Sequence, residues 1–151
     1  MSNLSFKGNP LVSIVMNCYN GEKYLKEAID SIYDQTYQNW EIIFLDNAST
    51  DNSSNIAQSY DSKLHYYYEE KTISLGAARN KAIIHCRGDY IAFLDVDDLW
   101  LPKKIEKQID KISMKENNIL CYSDGYLMYD DKKTKNKFSK DKNMHFSKGY
   151  I

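Results

Sequence analysis

Short apolar runs alternating with amphipathic ones predict an α/β fold, with a mostly parallel central sheet and helices on both faces. Three observations carry that expectation. Strand-like and helix-like stretches take turns from Val12 to about Tyr122. The strand-like stretches are short, apolar and rich in β-branched or aromatic residues, as buried strands are. Finally, three of the connections are polar clusters, Asn17 to Gly21, Asp46 to Asp51 and Asp95 to Asp98. Each follows a strand-like run, at the carboxyl ends where parallel sheets hold their ligands.

Val12-Ser13-Ile14-Val15-Met16 follows Pro10 and reads as the first strand. Asn17 to Gly21 is a turn-rich connection. From Glu22 to Gln35, apolar Leu25, Ala28, Ile29, Ile32 and Tyr33 recur on one helical face. Glu41 to Leu45, after Trp40, is the second strand. Asp46-Asn47-Ala48-Ser49-Thr50-Asp51 is rich in capping side chains, so a short helix is expected over Ser53 to Tyr60. Leu64 to Tyr68 is the third strand, with the rings of Tyr66, Tyr67 and Tyr68 alternating between faces. Ser74 to His85 is helical in pattern, with Leu75, Ala78, Ala82 and Ile83 on one side and Gly88 placed as a C-terminal cap. Tyr90 to Leu94 is the fourth strand. Pro102 opens a helix that Ile105, Ile109 and Ile112 continue. Ile119 to Tyr122 reads as a fifth strand. Tyr126 to Tyr129 is another, ahead of a hairpin turn at Asp130-Asp131-Lys132-Lys133.

A chain of 151 residues, 42% hydrophobic and 27% charged, suits one domain with its own core. A formal net charge of −1 sets aside a general nucleic-acid binder. Cys18, Cys86 and Cys121 are too few and too scattered for a disulfide framework or a zinc site, which favours a reduced, cytoplasmic setting. The sequence lacks a membrane-span-length apolar run and a signal-peptide pattern. Residues 1–9 are expected to be a flexible N-terminus, 10–123 the binding domain, and 124–151 a hairpin and the start of an incomplete further region. Between Lys132 and Lys148 there are seven lysines to one aspartate. That edge is either a solvated hairpin or a contact for anionic lipid or polyphosphate, the basis for expecting peripheral association with the inner face of a membrane.

The stretch Phe93-Leu94-Asp95-Val96-Asp97-Asp98-Leu99-Trp100 carries the chemistry. An apolar strand stops in three carboxylates within four positions. Clustered carboxylates repel and need a cation or hydrogen-bond donors. An Asp-x-Asp pair at a strand end suits a divalent metal, and the metal suits a diphosphate. The plain alternative is a polar turn between strand and helix. Arg79 and Arg87 are the only arginines in a chain whose other cations are lysines, which singles both out. His65, His85 and His145 lack metal-ligand spacing.

Taken together, the clusters resemble the family 2 glycosyltransferases. Pro10-Leu11-Val12-Ser13-Ile14-Val15-Met16-Asn17-Cys18-Tyr19-Asn20 resembles that family's opening strand, and Gln35-Thr36-Tyr37-Gln38-Asn39-Trp40-Glu41-Ile42-Ile43 the approach to its second. Asp46-Asn47-Ala48-Ser49-Thr50-Asp51 resembles its Asp-Asp-Gly-Ser-Thr-Asp. Gly76-Ala77-Ala78-Arg79-Asn80 and Gly88 to Asp98 resemble its donor helix and Asp-x-Asp strand. All four occur in order over roughly residues 10 to 123.

The resemblance implies the nucleotide-diphospho-sugar transferase fold, a Rossmann-like half, and inverting transfer of a sugar in bacterial surface polysaccharide synthesis. It implies a nucleotide-diphospho-sugar donor, with a UDP-sugar favoured, Mg²⁺ or Mn²⁺, and a saccharide or lipid-linked acceptor. Tyr19 would lie against the base with the Asn17 backbone nearby, and Asn47 takes the place of a base-bonding Asp. Asp95 would sit near the ribose and the metal shell, and Asp97 would be the principal metal ligand. Arg79 would pair with the diphosphate or brace the acids. Asp46 and Val96 complete the nucleotide set, Asp46 serving equally well as a turn residue. The sequence departs from the pattern at Asn47 and Ala48, where Asp and Gly are usual, and at Asn17 and Cys18, where Pro and Thr are common. The catalytic base and the acceptor half are expected beyond Ile151, so this chain is expected to bind donor without efficient transfer.

Other functions share pieces of the pattern. Haloacid-dehalogenase-like phosphatases place Asp-x-Asp after their first strand, not their fourth. Sugar-1-phosphate nucleotidyltransferases need a basic Gly-rich loop where Asn17 to Lys23 has only Gly21. Receiver-like domains gather acids after strand one, where this chain has none before Glu22. A nucleotide-binding module without catalysis stays open.

Overall fold

The computed structural model describes residues 8–113, 120–123, 126–129 and 132–137. The chain forms two compact units that divide between Lys107 and Gln108. In the first, β1 (Val12–Cys18), β2 (Trp40–Asp46), β3 (Leu64–Tyr68) and β4 (Tyr90–Phe93) make one sheet in the order β3-β2-β1-β4. Every pairing is parallel, Val12 lying opposite both Trp40 and Tyr90, and Ile42 opposite Leu64. The expected α/β sheet is therefore present, with helices α1 (Glu22–Tyr33), α2 (Ser53–Gln58) and α3 (Leu75–Ile83) between the strands and α4 (Lys104–Ser113) after them.

Alternation along the strands sorts the core into two layers. Ile14, Met16, Ile42 and Phe44 face one side, and all are fully buried. Tyr33 of α1 meets Trp40 edge-on at 4.9 Å on that side, and Tyr66 stacks on Phe44 at 5.9 Å. Helix α1 buries Leu25, Ala28, Ile29 and Ile32, the stripe read from its sequence. Each large aliphatic side chain so buried contributes on the order of 2 kcal/mol. On the opposite side, Ala78 and Ala82 of α3 pack against Val15, Ile43 and Leu45. Two alanines at this spacing bring the helix close to the sheet.

Local chemistry sets the ends. Helix α1 stops at Tyr33, where the Asp34 N–H donates back to Asp30 O and Ile32 O. Gln35 is then buried: its Nε2 donates to Ser31 O and Leu101 O, and its Oε1 accepts from the Ile105 N–H. Helix α3 begins at a Ser74 cap whose Oγ accepts from the Ala77 N–H. At the other end of the chain's first strand, the Asn9 carbonyl accepts from Asn39 Nδ2; residues 1–7 lie outside the described residues.

Two expectations are corrected. Gly88 does not cap α3, which ends at Ile83 with Ile84 in a helical conformation beyond it. Its role is close approach: an added Cβ would stand 2.6 Å from Ser13 N and 2.8 Å from Leu11 O. The strand expected at Ile119 to Tyr122 is also missing where it is described. Residues 120–123 are irregular and Leu120 and Tyr122 stand exposed, so they lack both a ladder and a buried face; Ile119 lies outside the described residues. In the second unit β5 (Tyr126–Tyr129) and β6 (Lys132–Lys137) pair antiparallel, as the hairpin reading expects. Lys132 and Lys133, expected in the turn, already belong to β6; Asp130 and Asp131, and residues 138–151, lie outside the described residues.

Candidate nucleotide-sugar site

Strand order fixes where a ligand can bind. The chain runs outward from β1 to β2 and β3, then returns to lay β4 on the other flank of β1. That reversal opens a crevice past the carboxyl ends of β1 and β4. The turn after β1 carries Tyr19, exposed, and the turn after β4 carries Asp95, Val96 and Asp97.

The β1–α1 turn is held by the β2–α2 loop. The N–H groups that open α1 find acceptors there: Gly21 N donates to Ser53 Oγ at 2.9 Å and Glu22 N to an Asp51 carboxylate oxygen at 3.0 Å. Glu22 returns the contact by accepting from the Asn52 N–H at 2.8 Å. Asn20 N donates to Ser49 Oγ, and Asn20 Oδ1 accepts from Thr50 N. Asp51 also accepts from Ser53 N, so it serves the starts of α1 and α2 together. Partial desolvation pushes its carboxyl up, but the Ser53 hydroxyl and the backbone donors outweigh it and hold Asp51 below its ordinary value. Sequence reading found the capping composition of this loop, and not that it caps the preceding helix.

The acidic turn is anchored by its apolar middle residue. A Cβ built on Gly21 would come 2.9 Å from Cys18 Sγ and 3.1 Å from Val96 Cγ2. The absence of a side chain at 21 thus lets Val96 seat against the β1–α1 turn. Asp95 accepts from Arg79 Nη2 at 2.7 Å, and the Arg79 guanidinium lies 5.8 Å from the Phe93 ring centre. Of the two roles expected for Arg79, bracing the acids is the one present here. Asp97 and Asp98 are exposed. Partial burial of its carboxyl, then the negative charges of Asp97 and Asp95, raise Asp98 above its ordinary value.

The remaining expected residues are placed as follows. Asp46 is fully buried, with one carboxylate oxygen accepting from Ser49 N and the other from the Tyr66 hydroxyl at 2.8 Å. Burial and the Asp46 charge push that hydroxyl up to about 12, although Ser54 pulls the other way, so it stays a donor. Asn47 spends both ends of its amide on one backbone residue: Nδ2 donates to Ile73 O at 2.8 Å and Oδ1 accepts from Ile73 N at 2.9 Å. Asn17 Nδ2 is buried without a hydrogen-bond partner. Tyr19 and the 95–97 turn, with Arg79 paired to it, border the crevice, Asn17 stands one residue before the end of β1, and Asp46 and Asn47 hold the loops beside it.

Ala48 stands in the left-handed region, with φ of 64°. That conformation costs an L-residue about 1 kcal/mol and a glycine little. Ala48→Gly is expected to raise stability by about 0.5 kcal/mol, after the extra freedom of glycine in the unfolded chain is set against the relieved strain. Urea denaturation checks it.

As for a metal, among the described residues no three His, Cys, Asp or Glu side chains converge as a ready-made cage. The donor set still fits an ion that takes one or two carboxylates and completes its shell with phosphate oxygens and water, as Mg²⁺ does. Asp97 and Asp95, the latter already paired with Arg79, are exposed carboxylates of the kind such an ion takes, and their charges disfavour ionisation of Asp98, which is exposed as well.

Known proteins carry the same framework. The chain is 40% identical over 104 residues to a putative teichuronic acid biosynthesis glycosyltransferase, TuaG, of Bacillus subtilis, covering 67% of this chain and 41% of the relative. Crystals of S. aureus TarS with UDP-GlcNAc superpose with a TM-score of 0.66 at 27% identity, over 68% of this chain and 31% of TarS. The mannosyltransferase PcManGT of Pyrobaculum calidifontis, in complex with GDP-Man and Mn²⁺, superposes with a TM-score of 0.58 at 27% identity, over 61% of this chain and 29% of that one. The chain spans from about a fifth to about half of the length of the curated relatives it matches. Residues 13–149 match the model of glycosyl transferase family 2, a span that takes in the turns after β1, β2 and β4, and to that family the chain belongs.

Proposed function

We propose that this chain is the donor-binding part of an inverting glycosyltransferase that takes a nucleotide-diphospho-sugar, with Mg²⁺ or Mn²⁺, for synthesis of a bacterial surface polysaccharide. The observation that carries the reading is the convergence of the Tyr19 turn and the Asp95-Val96-Asp97 turn at the β1/β4 switch point. TuaG and TarS support the setting and the donor class, and PcManGT supports the metal.

Tyr19 offers an exposed ring to the base, and Asp95 and Val96 border the ribose. Asp97 and Asp95 would hold the metal, whose positive charge would supply stabilisation for the negative charge that grows on the departing diphosphate. Arg79 reaches this turn from α3, where it pairs with Asp95, and from there it meets a phosphate. The acceptor is a saccharide or a lipid-linked one, and the enzyme works in the cytoplasm, at the inner face of the membrane. Among the described residues no helix is long and apolar enough to cross a membrane. Proton removal from the acceptor hydroxyl is assigned to an acidic base outside residues 1–151, so the chain by itself binds donor and transfers slowly.

Calorimetric titration of UDP, GDP, CDP and TDP, with and without Mn²⁺, tests this. One diphosphate is expected to bind at least tenfold tighter with the ion, about 1.4 kcal/mol. Asp97→Ala is expected to abolish that increment. Equal affinity with and without Mn²⁺, or an Asp97→Ala protein that keeps the increment, defeats the assignment.

A further inference from the structure

Gly21 stands at the joint between the two turns that border the crevice. It is buried and opens α1 as the cap residue, with φ of −100° and ψ of 8°. Other residues adopt that turn conformation, so the backbone does not require glycine. Nor does the helix ask for it. Ser, Thr, Asp and Asn cap a helix better, because their oxygens accept from its first N–H groups. Gly21 gives α1 no side-chain acceptor, and Asp51 of the β2–α2 loop accepts from the Glu22 N–H instead.

Space is what the missing side chain provides. An added Cβ would stand 2.9 Å from Cys18 Sγ, 3.1 Å from Val96 Cγ2 and 3.5 Å from Val96 Cβ. Two of the parties are fixed. Cys18 is 1% exposed at the end of β1, and the Gly21 N–H is held in a buried hydrogen bond to Ser53 Oγ. Val96 is the party that can yield. It is half-buried in a turn whose other members, Asp95, Asp97 and Asp98, are exposed.

We propose that Gly21 is a positioning residue for the divalent ion: its missing side chain lets Val96 seat on the β1–α1 turn, and that seat sets where the carboxylates of Asp95 and Asp97 meet the ion. The inference rests on the donor reading above. A methyl at position 21 displaces Val96 by a few tenths of an ångström, and Asp95 and Asp97, its chain neighbours, move with it. Mg²⁺ demands a near-ideal octahedral shell, whereas Ca²⁺ accepts a flexible one. The seat therefore favours the smaller ion, and its loss weakens Mg²⁺ more than Ca²⁺.

The test titrates UDP and GDP into the whole chain with Mg²⁺, with Ca²⁺ and with neither. In the parent, Mg²⁺ is expected to raise the affinity of at least one nucleotide about tenfold. Gly21→Ala is expected to cut that gain to about threefold or less, to lose less of the gain from Ca²⁺, and to keep ion-free affinity within about twofold of the parent. Val96→Ala removes atoms from the same contact and is expected to act in the same direction. In the double variant Gly21→Ala/Val96→Ala the new methyl takes the vacated room, so the Mg²⁺ gain is expected to exceed that of Gly21→Ala. Hydrogen exchange in unliganded Gly21→Ala is expected to quicken at the Asp98 amide, which donates to Asp95 O, and not at the Leu94 amide, which donates to Val15 O. A Gly21→Ala protein that keeps the full Mg²⁺ gain overturns the proposal, as does one that loses the Mg²⁺ and Ca²⁺ gains alike or exchanges Leu94 as fast as Asp98. So does a double variant whose losses multiply. If Gly21→Ala does not fold, Val96→Ala decides, and an unchanged Mg²⁺ gain there overturns the proposal. A Mg²⁺ gain that survives both substitutions sinks this inference alone, whereas a parent that gains nothing from either ion sinks the donor reading with it.

Discussion

Gly88→Ala is expected to destabilise the first unit by about 3 kcal/mol, the upper end of what forcing atoms into a filled site costs. The added carbon would stand 2.6 Å from Ser13 N, 2.7 Å from Ser13 Oγ and 2.8 Å from Leu11 O. Two of these three atoms are backbone, in and just before β1, so no side-chain rotation relieves the clash. The contact also matters for hydrogen bonding, because the Gly88 N–H donates to Ser13 Oγ at 2.8 Å. Backing the turn away lengthens that bond and pulls on the entry to β4, whose Tyr90 N–H donates to Leu11 O. Gly76 is the control. An added Cβ there meets nothing within 4 Å, and Gly76 lies in the first turn of α3. Gly76→Ala is expected to be neutral or to stabilise by up to about 1 kcal/mol. Urea denaturation of both proteins settles the pair. A Gly88→Ala midpoint that moves no further than that of Gly76→Ala would show that β4 does not approach β1 this closely.

The two glycines also show what a sequence does and does not reveal. The strand runs were legible because burial on both faces forces apolar residues wherever the sheet has helices above and below, and Ile14, Met16, Ile42 and Phe44 meet that demand. The acidic turn was legible because Asp95, Asp97 and Asp98 break an apolar run abruptly. Gly88 was legible as a special residue but not in its role. A glycine a few positions past a helical pattern suggests a cap, and only the three-dimensional path shows that it lies against Ser13, 75 positions away. Asn47 was legible only in part for a related reason. Its place in the motif points to a base; its amide also meets the Ile73 backbone, a contact 26 positions away that the local sequence does not announce. Glu41 left the faintest trace, a lone acid at the head of an apolar strand, with one of only two arginines far along the chain.

That faint trace leads to the second large effect. Glu41→Ala is expected to cost about 2–3 kcal/mol, somewhat below the loss usual for half of a buried pair, because the partner guanidinium is largely exposed and turns to water. The Glu41 side chain is 4% exposed and Arg87 66%. Its Oε1 accepts from the Ser13 hydroxyl at 2.7 Å and from the Arg87 N–H at 3.0 Å, and its Oε2 accepts from Arg87 Nε at 2.9 Å and from Nη2. His65 Nε2 lies 3.4 Å from the same oxygen. One carboxylate thus ties the heads of β1, β2 and β3 to the turn that feeds β4, and alanine would leave the Ser13 hydroxyl and the Arg87 N–H without that acceptor. Burial pushes the Glu41 carboxyl up, but the Arg87 and Ser13 donors and the Arg87 charge outweigh it, so it lies below its ordinary value of 4.5. With the folded value below the unfolded one, the contribution is complete above pH 4.5 and is lost as the pH falls through the folded value. Glu41→Gln keeps the shape without the titration, so the stability gap between parent and Glu41→Gln is expected to be widest near pH 7 and to narrow in acid. A gap that stays constant from pH 7 to about pH 3 would mean that the charge of Glu41 contributes nothing. The same network bears on the site at the far end of the sheet. Glu41 fixes where β4 starts, the 12-to-90 pairing fixes its register, and that register decides where Asp95 and Asp97 emerge beside Tyr19.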